Sequence, residues 1–204
     1  SNFSYDFDAI ELITGRRIED VHTYRAPNPL PPGPFPDPQP GAGQVVVGKD
    51  GRPLYPGVVE TWMTMLDRGH KATGMGTSDS HHLLGDEPGY ARTLLFVGHG
   101  KDVPGGFSRQ DVIDAIKGHH AIATNAPFID MHVGTAMIGD TVTQSGPVNV
   151  KITVDSPSWA KANHLIVYAS GGQIVADMPI TGTHLDTTVT FTPSKDSWVV
   201  AEVT

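Results

Sequence analysis

Cysteine is absent from the 204 residues, so neither a disulfide nor a thiolate metal site is open to this chain. That absence names no compartment, because reducing and oxidising compartments both contain cysteine-free proteins. No run of about 18 apolar residues occurs, so no helical membrane span is expected. A basic cluster is also lacking. The formal net charge is −8, and the nearest candidate, Arg16-Arg17, is followed at once by Glu19-Asp20. A surface that binds nucleic acid needs clustered Lys and Arg against phosphate, so none is expected here.

What the chain does have is turn chemistry. Gly 23 and Pro 17 are high, while hydrophobic residues make up a modest 38%. The balance points to many loops and a β-rich portion, and the length allows one large domain or two small ones. Phe7 to Ile13 reads as a strand mostly buried on both faces, as in a parallel sheet, closed by Thr14-Gly15. The strand pattern starts with no lead-in, which leads us to expect a natural polypeptide that begins further upstream. Residues 22–56 are dominated by Pro and Gly. Each proline removes a donor and fixes φ, so this stretch is expected to be an extended surface loop rather than a helix or central strand.

Helix and strand patterns then alternate. Val58 to Gly69 carries Val58, Val59, Trp62, Met65 and Leu66 at helical spacing and stops at a glycine suited to ending a helix. Ala72–Met75 reads as a short strand running into Gly76-Thr77-Ser78-Asp79-Ser80-His81-His82, and Ala91–Val97 as another. Ser108 to Lys117 reads as a helix with Ser108 as N-cap and Gly118 at its end, followed by a strand at 121–124. Alternation of this kind predicts a parallel α/β layer or barrel. From about Phe128 the texture changes to short β-branched runs at 129–133, 148–154, 164–169, 173–176, 187–191 and 198–203, separated by turns such as Ser170-Gly171-Gly172. With no helix pattern between them they predict an antiparallel sandwich. The expected division is 1–127 and 128–204.

Asp79-Ser80-His81 is the sharpest chemical feature. It follows a strand, at the end where α/β barrels build their sites, and a carboxylate and an imidazole two residues apart can bind a divalent ion. The same tripeptide also reads as a turn-capping Asp beside an exposed His. Ser78 and Ser80 lack the strand–turn–helix elbow of a nucleophilic serine. Gly98-His99-Gly100 and Gly105-Gly106 lack phosphate-cradle spacing. Trp159 and Trp198 read as core or sheet-edge residues rather than a sugar-stacking platform.

The run from Trp62 through His81, ending Ala72-Thr73-Gly74-Met75-Gly76-Thr77-Ser78-Asp79-Ser80-His81, resembles the last metal motif of the PHP (polymerase and histidinol phosphatase) superfamily, in particular its carbaryl-hydrolase-like metallohydrolase branch. Phe7-Asp8-Ala9-Ile10-Glu11-Leu12 resembles the preceding barrel strand, Gly89-Tyr90-Ala91-Arg92-Thr93 the stretch after the motif, and Gly118 to Pro127 the closing strand. Ser156-Pro157-Ser158-Trp159 and Asp196-Ser197-Trp198 are similar to the β-rich tail of that branch. The resemblance covers essentially the whole chain.

It implies the C-terminal part of a distorted (β/α)7 barrel followed by an immunoglobulin-like antiparallel β-sandwich. It also implies two or three divalent metal ions (Zn, Mn or Fe) in the complete protein. Asp79 and His81 match metal ligands and so the catalytic centre. Arg92 is a candidate for binding a substrate anion, with a surface ion pair as its alternative reading. Glu11 is a candidate for supporting the ligands from behind.

The family's other ligands come from an upstream H-x-H, an acidic residue and a further His, none of which is present. His22 does not replace them. In the adjacent pairs His81-His82 and His119-His120 neighbouring side chains diverge, so each pair offers one ligand at most. His82 reads as exposed or as supporting a ligand from behind rather than as a ligand, and His119 and His120 as favourable charges at a helix end. The expected function is therefore a fragment of a hydrolase for a phosphoester or a small-molecule ester, amide or carbamate, inactive alone. Missing strands leave edges to cover, so the expectation is either that the missing half was lost by proteolysis or truncation, or that chains self-associate through the open barrel side. The rival reading is a non-catalytic β-sandwich module that binds a glycan or protein partner.

Overall fold

A computed structural model describes residue 4 and residues 6–15, 57–83, 88–160 and 162–204. The proline-rich segment 22–56, with His22, lies outside them. The described residues form eleven strands and two α-helices, a β-rich fold in which the strands do not close into a barrel.

In the first part, β1 (Ala9–Thr14) pairs in parallel with β2 (Thr73–Thr77), as the buried strand pattern and the intervening helix predict. That helix, α1 (Val58–Asp67), buries Val59, Met63 and Met65. Its Trp62 indole N–H donates to the Ala72 carbonyl at 2.8 Å, tying the helix to the start of β2. Leu12 fills the space above Gly74, where an added Cβ would lie 2.4 Å from its Cδ1. α1 ends in a Schellman motif: Gly69 N–H bonds Leu66 O and His70 N–H bonds Met65 O, with Gly69 at φ 80°.

β3 (Arg92–Leu95) and β4 (Ala121–Thr124) pair antiparallel, which corrects the expectation of parallel strands throughout. β3 is the reversed strand. Its start lies against the end of β2, where Thr93 Oγ1 accepts from Gly76 N–H at 3.0 Å and donates to Gly76 O at 2.9 Å. The physical reason is the connection 78–91, which has no helix among its described residues to carry the chain back across the sheet. α2 (Arg109–Lys117) has the predicted Ser108 cap as a full capping box, Asp111 N–H on Ser108 Oγ and Ser108 N–H on Asp111 Oδ2.

The tail from Phe128 onward is all strand and turn, as expected. β5 (Phe128–Val133), β6 (Ala136–Met137), β7 (Val148–Asp155) and β10 (His184–Phe191) form one antiparallel sheet in the order β10-β7-β5-β6. β8 (His164–Ala169), β9 (Gln173–Pro179) and β11 (Val199–Val203) form the second, in the order β11-β8-β9. Val150, Ile152 and Val154 alternate inward along β7 and meet Leu165 and Val167 of β8 and Val189 of β10 in a single core. Burying each such side chain is worth about 1.5–3 kcal/mol.

Two joints tie the parts together. Asp67 at the end of α1 accepts at one oxygen from the Trp198 indole and from Gly171 N–H, each at 2.8 Å. Gly139, at φ 96°, presses on the corner after α2, where an added Cβ would lie 2.4 Å from Gly118 O. Trp159, expected in the core or at a sheet edge, is 69% exposed. It sits in the turn after β7, beyond the reach of either sheet's inner face.

Candidate functional site

β1 and β2 run in parallel and end together, with Thr14 opposite Thr77. The chain leaving β2 turns immediately. Ser78 leads into Asp79, whose backbone sits at φ 48°, the left-handed region that Asp tolerates better than most side chains. Gly15 makes room for that turn. Its N–H bonds Thr77 O at 2.7 Å, it lies at φ 51°, and a Cβ there would come 3.0 Å from Ser78 O.

Beyond the turn, the His81 ring folds back on Asp79. Nδ1 lies 2.6 Å from the Asp79 carbonyl oxygen and 3.5 Å from its Oδ1. A carbonyl oxygen only accepts, so Nδ1 carries a hydrogen and donates it. Metal-binding histidines are commonly fixed this way, with one ring N–H on a backbone carbonyl and the other nitrogen facing the ion. Carboxylate and imidazole are donors of the kind a divalent ion takes, and this pair would fill two of the four or more positions such an ion needs. Among the described residues no group of three or more His, Asp or Glu could hold one.

Arg92 opens β3, and because β3 is reversed it lies on the same edge as the ends of β1 and β2. Its side chain is exposed, and Nη2 donates to the Asn125 carbonyl, just past β4, at 2.9 Å. Glu11 projects from the middle of β1 as the one exposed position of that strand. It accepts from Thr77 Oγ1 at 2.6 Å and from Thr14 Oγ1. The Thr14 hydroxyl first, then that of Thr77, holds its carboxyl below the usual carboxylate range, so it is ionised at neutral pH. Sequence reasoning missed Thr14, Thr77 and Gly15. The available signal was a glutamate in an otherwise apolar strand that ends in a hydroxyl and a glycine.

The other histidines are elsewhere. His82 is exposed. His119 and His120 lie at the opposite end of the sheet, where His119 Nδ1 meets Thr73 Oγ1 at 2.9 Å and His120 Nε2 meets Asp140 Oδ1 at 3.2 Å. Neither joins Asp79 and His81. In the tail, His132, His164 and His184 each face one aspartate, at 2.9, 2.9 and 2.7 Å. No helix among the described residues is long and apolar enough to cross a membrane. Compared with family models, with curated proteins and with solved structures, the chain gives no match.

Proposed function

We propose that this chain is the C-terminal portion of a PHP-type metal-dependent hydrolase: the end of a distorted (β/α)7 barrel and an immunoglobulin-like β-sandwich. The observation that carries the reading is the Asp79–His81 pair. Carboxylate and imidazole meet 3.5 Å apart just past the end of a parallel strand, with the ring nitrogen nearest the backbone already committed to a carbonyl.

In this reading Asp79 Oδ and His81 Nε2 hold a divalent ion, Zn, Mn or Fe, and the remaining ligands come from residues this sequence does not contain. When bound, such an ion lowers the pKa of its water and polarises the oxygen under attack, which is the chemistry for hydrolysing a phosphoester, ester, amide or carbamate. Arg92, with Nη2 on Asn125 O, orients its guanidinium on the same edge and is the group for a substrate phosphate or carboxylate. The chain alone is inactive. The outer edge of β1, which pairs only with β2 among the described residues, is where a second copy or the missing strands dock.

Titrating Zn2+ calorimetrically into the chain and into an Asp79→Ala, His81→Ala variant tests the assignment. Weak binding that the variant loses is the expected result; equal heats from both remove the metal role of the pair. A second reading, a non-catalytic β-sandwich module for a glycan or protein, draws on the exposed Trp159 and on a groove of about 160 Å³ lined by Ser170, Gln173, Phe191, Ser194, Lys195 and Ser197.

A further inference from the structure

The register of β1 against β2 slips by one residue. Glu11 stands opposite Met75, yet Ile13 stands opposite Gly76 and Thr14 opposite Thr77, so Leu12 is an extra residue on β1. In an unbroken pairing Glu11 and Ile13 would share a face with Met75 and Thr77, and Thr14 would point the other way. The slip changes this. It turns Thr14 to the face of Thr77, and the hydroxyls of both residues then converge on the Glu11 carboxylate. Bulges of this kind re-aim side chains beside functional sites.

The two threonines are the last residues of their strands, and the corner of the site begins directly after each. Thr14 leads into Gly15, whose N–H holds Thr77 O and whose bare Cα lets Ser78 O approach. Thr77 leads through Ser78 to Asp79 in its left-handed conformation and so to His81 on the Asp79 carbonyl. Glu11 itself touches neither Asp79 nor His81; it fixes the strand ends from which both are hung.

We propose that Glu11 is a positioning residue for the Asp79–His81 pair: through the Thr14 and Thr77 hydroxyls it locks the two strand ends and thereby the turn that presents the carboxylate and the imidazole together. The inference rests on the metal-binding reading for its purpose, though not for its geometry. Hydrogen bonding rather than charge is the operative feature. Glutamine at this position spans the same gap, accepting from one hydroxyl while donating to the other, whereas alanine releases both.

The test uses the full labelled chain in solution, as wild type, Glu11→Ala and Glu11→Gln, with thermal melts to check that each folds. Without metal, the three-bond amide–Hα coupling of Asp79 reports its left-handed backbone, and the His81 ring nitrogen shifts report the Nδ1 hydrogen bond. Both are expected to move toward averaged values in Glu11→Ala and to return in Glu11→Gln. With Mn2+ added, line broadening at Asp79 and His81 is expected to need about 10-fold more ion in Glu11→Ala and near wild-type amounts in Glu11→Gln. Unchanged Asp79 and His81 signals in Glu11→Ala, or a Glu11→Gln variant as altered as Glu11→Ala, would overturn the proposal. Mn2+ that broadens neither residue in the wild type overturns the metal reading instead, and the metal-free couplings then decide the positioning role by themselves.

Discussion

His119 occupies a backbone position that helices commonly give to glycine. α2 ends in a Schellman motif, with His119 N–H on Ile116 O and His120 N–H on Ala115 O, and the left-handed residue between is His119 at φ 61° rather than Gly118 at φ −79°. The side chain compensates for the strain. Thr73 Oγ1 spends its hydrogen on Ile116 O, so it accepts from His119 Nδ1–H and fixes the orientation of the ring. Burial lowers the pKa of His119, the Lys71 and His120 charges lower it further, and Asp8 opposes them. The folded state therefore binds this proton less readily than the unfolded chain. Its contribution to stability is whole above the ordinary histidine pKa of about 6.5 and is lost as pH falls below it. Urea midpoints should drop between pH 7.5 and pH 5.5, and by less in His119→Asn, which keeps a residue tolerant of positive φ. An unchanged pH dependence in the variant would remove His119 from the account. From sequence this residue read only as a charge near a helix end, because the partner that gives it a role, Thr73, is 46 positions away.

The elements divide by how local their causes are. Ser108 was legible as a cap because a capping box is written within four residues, and Gly69 as a helix end for the same reason. The β-branched run at 148–154 likewise announced β7. Truncating the partner across that core, Leu165→Ala, removes a fully buried side chain and should cost about 3 kcal/mol in chemical denaturation. A loss below about 1 kcal/mol would mean that the two sheets do not share the core. Strand direction was not legible. Arg92 to Leu95 is a run of only four residues with nothing in it that states direction, and the reversal comes from the connection before it. β6, two residues long, carries no period to read. Neither was the slip at Leu12, since register belongs to two strands and the residues opposite lie beyond the long segment 16–56.

At the scale of the whole molecule the chain is two differently built parts held by a few side chains. Asp67 clasps Trp198 and Gly171, and the Phe96 and Phe128 rings meet at 6.0 Å where the first part passes into the second. The run of strands from Phe128 onward was readable from the change in texture, whereas these joints were not, because their partners are far apart in sequence. The site obeys the same logic. Asp79 and His81 were visible as a tripeptide, but the reversed β3 that brings Arg92 to their edge and the Glu11 network behind them needed the fold. The proposed function makes this edge one corner of a metal centre, with Asp79 and His81 as two of its ligands. Element mass spectrometry on the purified chain beside the Asp79→Ala, His81→Ala variant tests that claim most directly. Metal far below one ion per chain is expected in both, because two ligands do not retain an ion through purification. One tightly held ion per wild-type chain, lost in the variant, would contradict it by showing that this chain completes a site by itself.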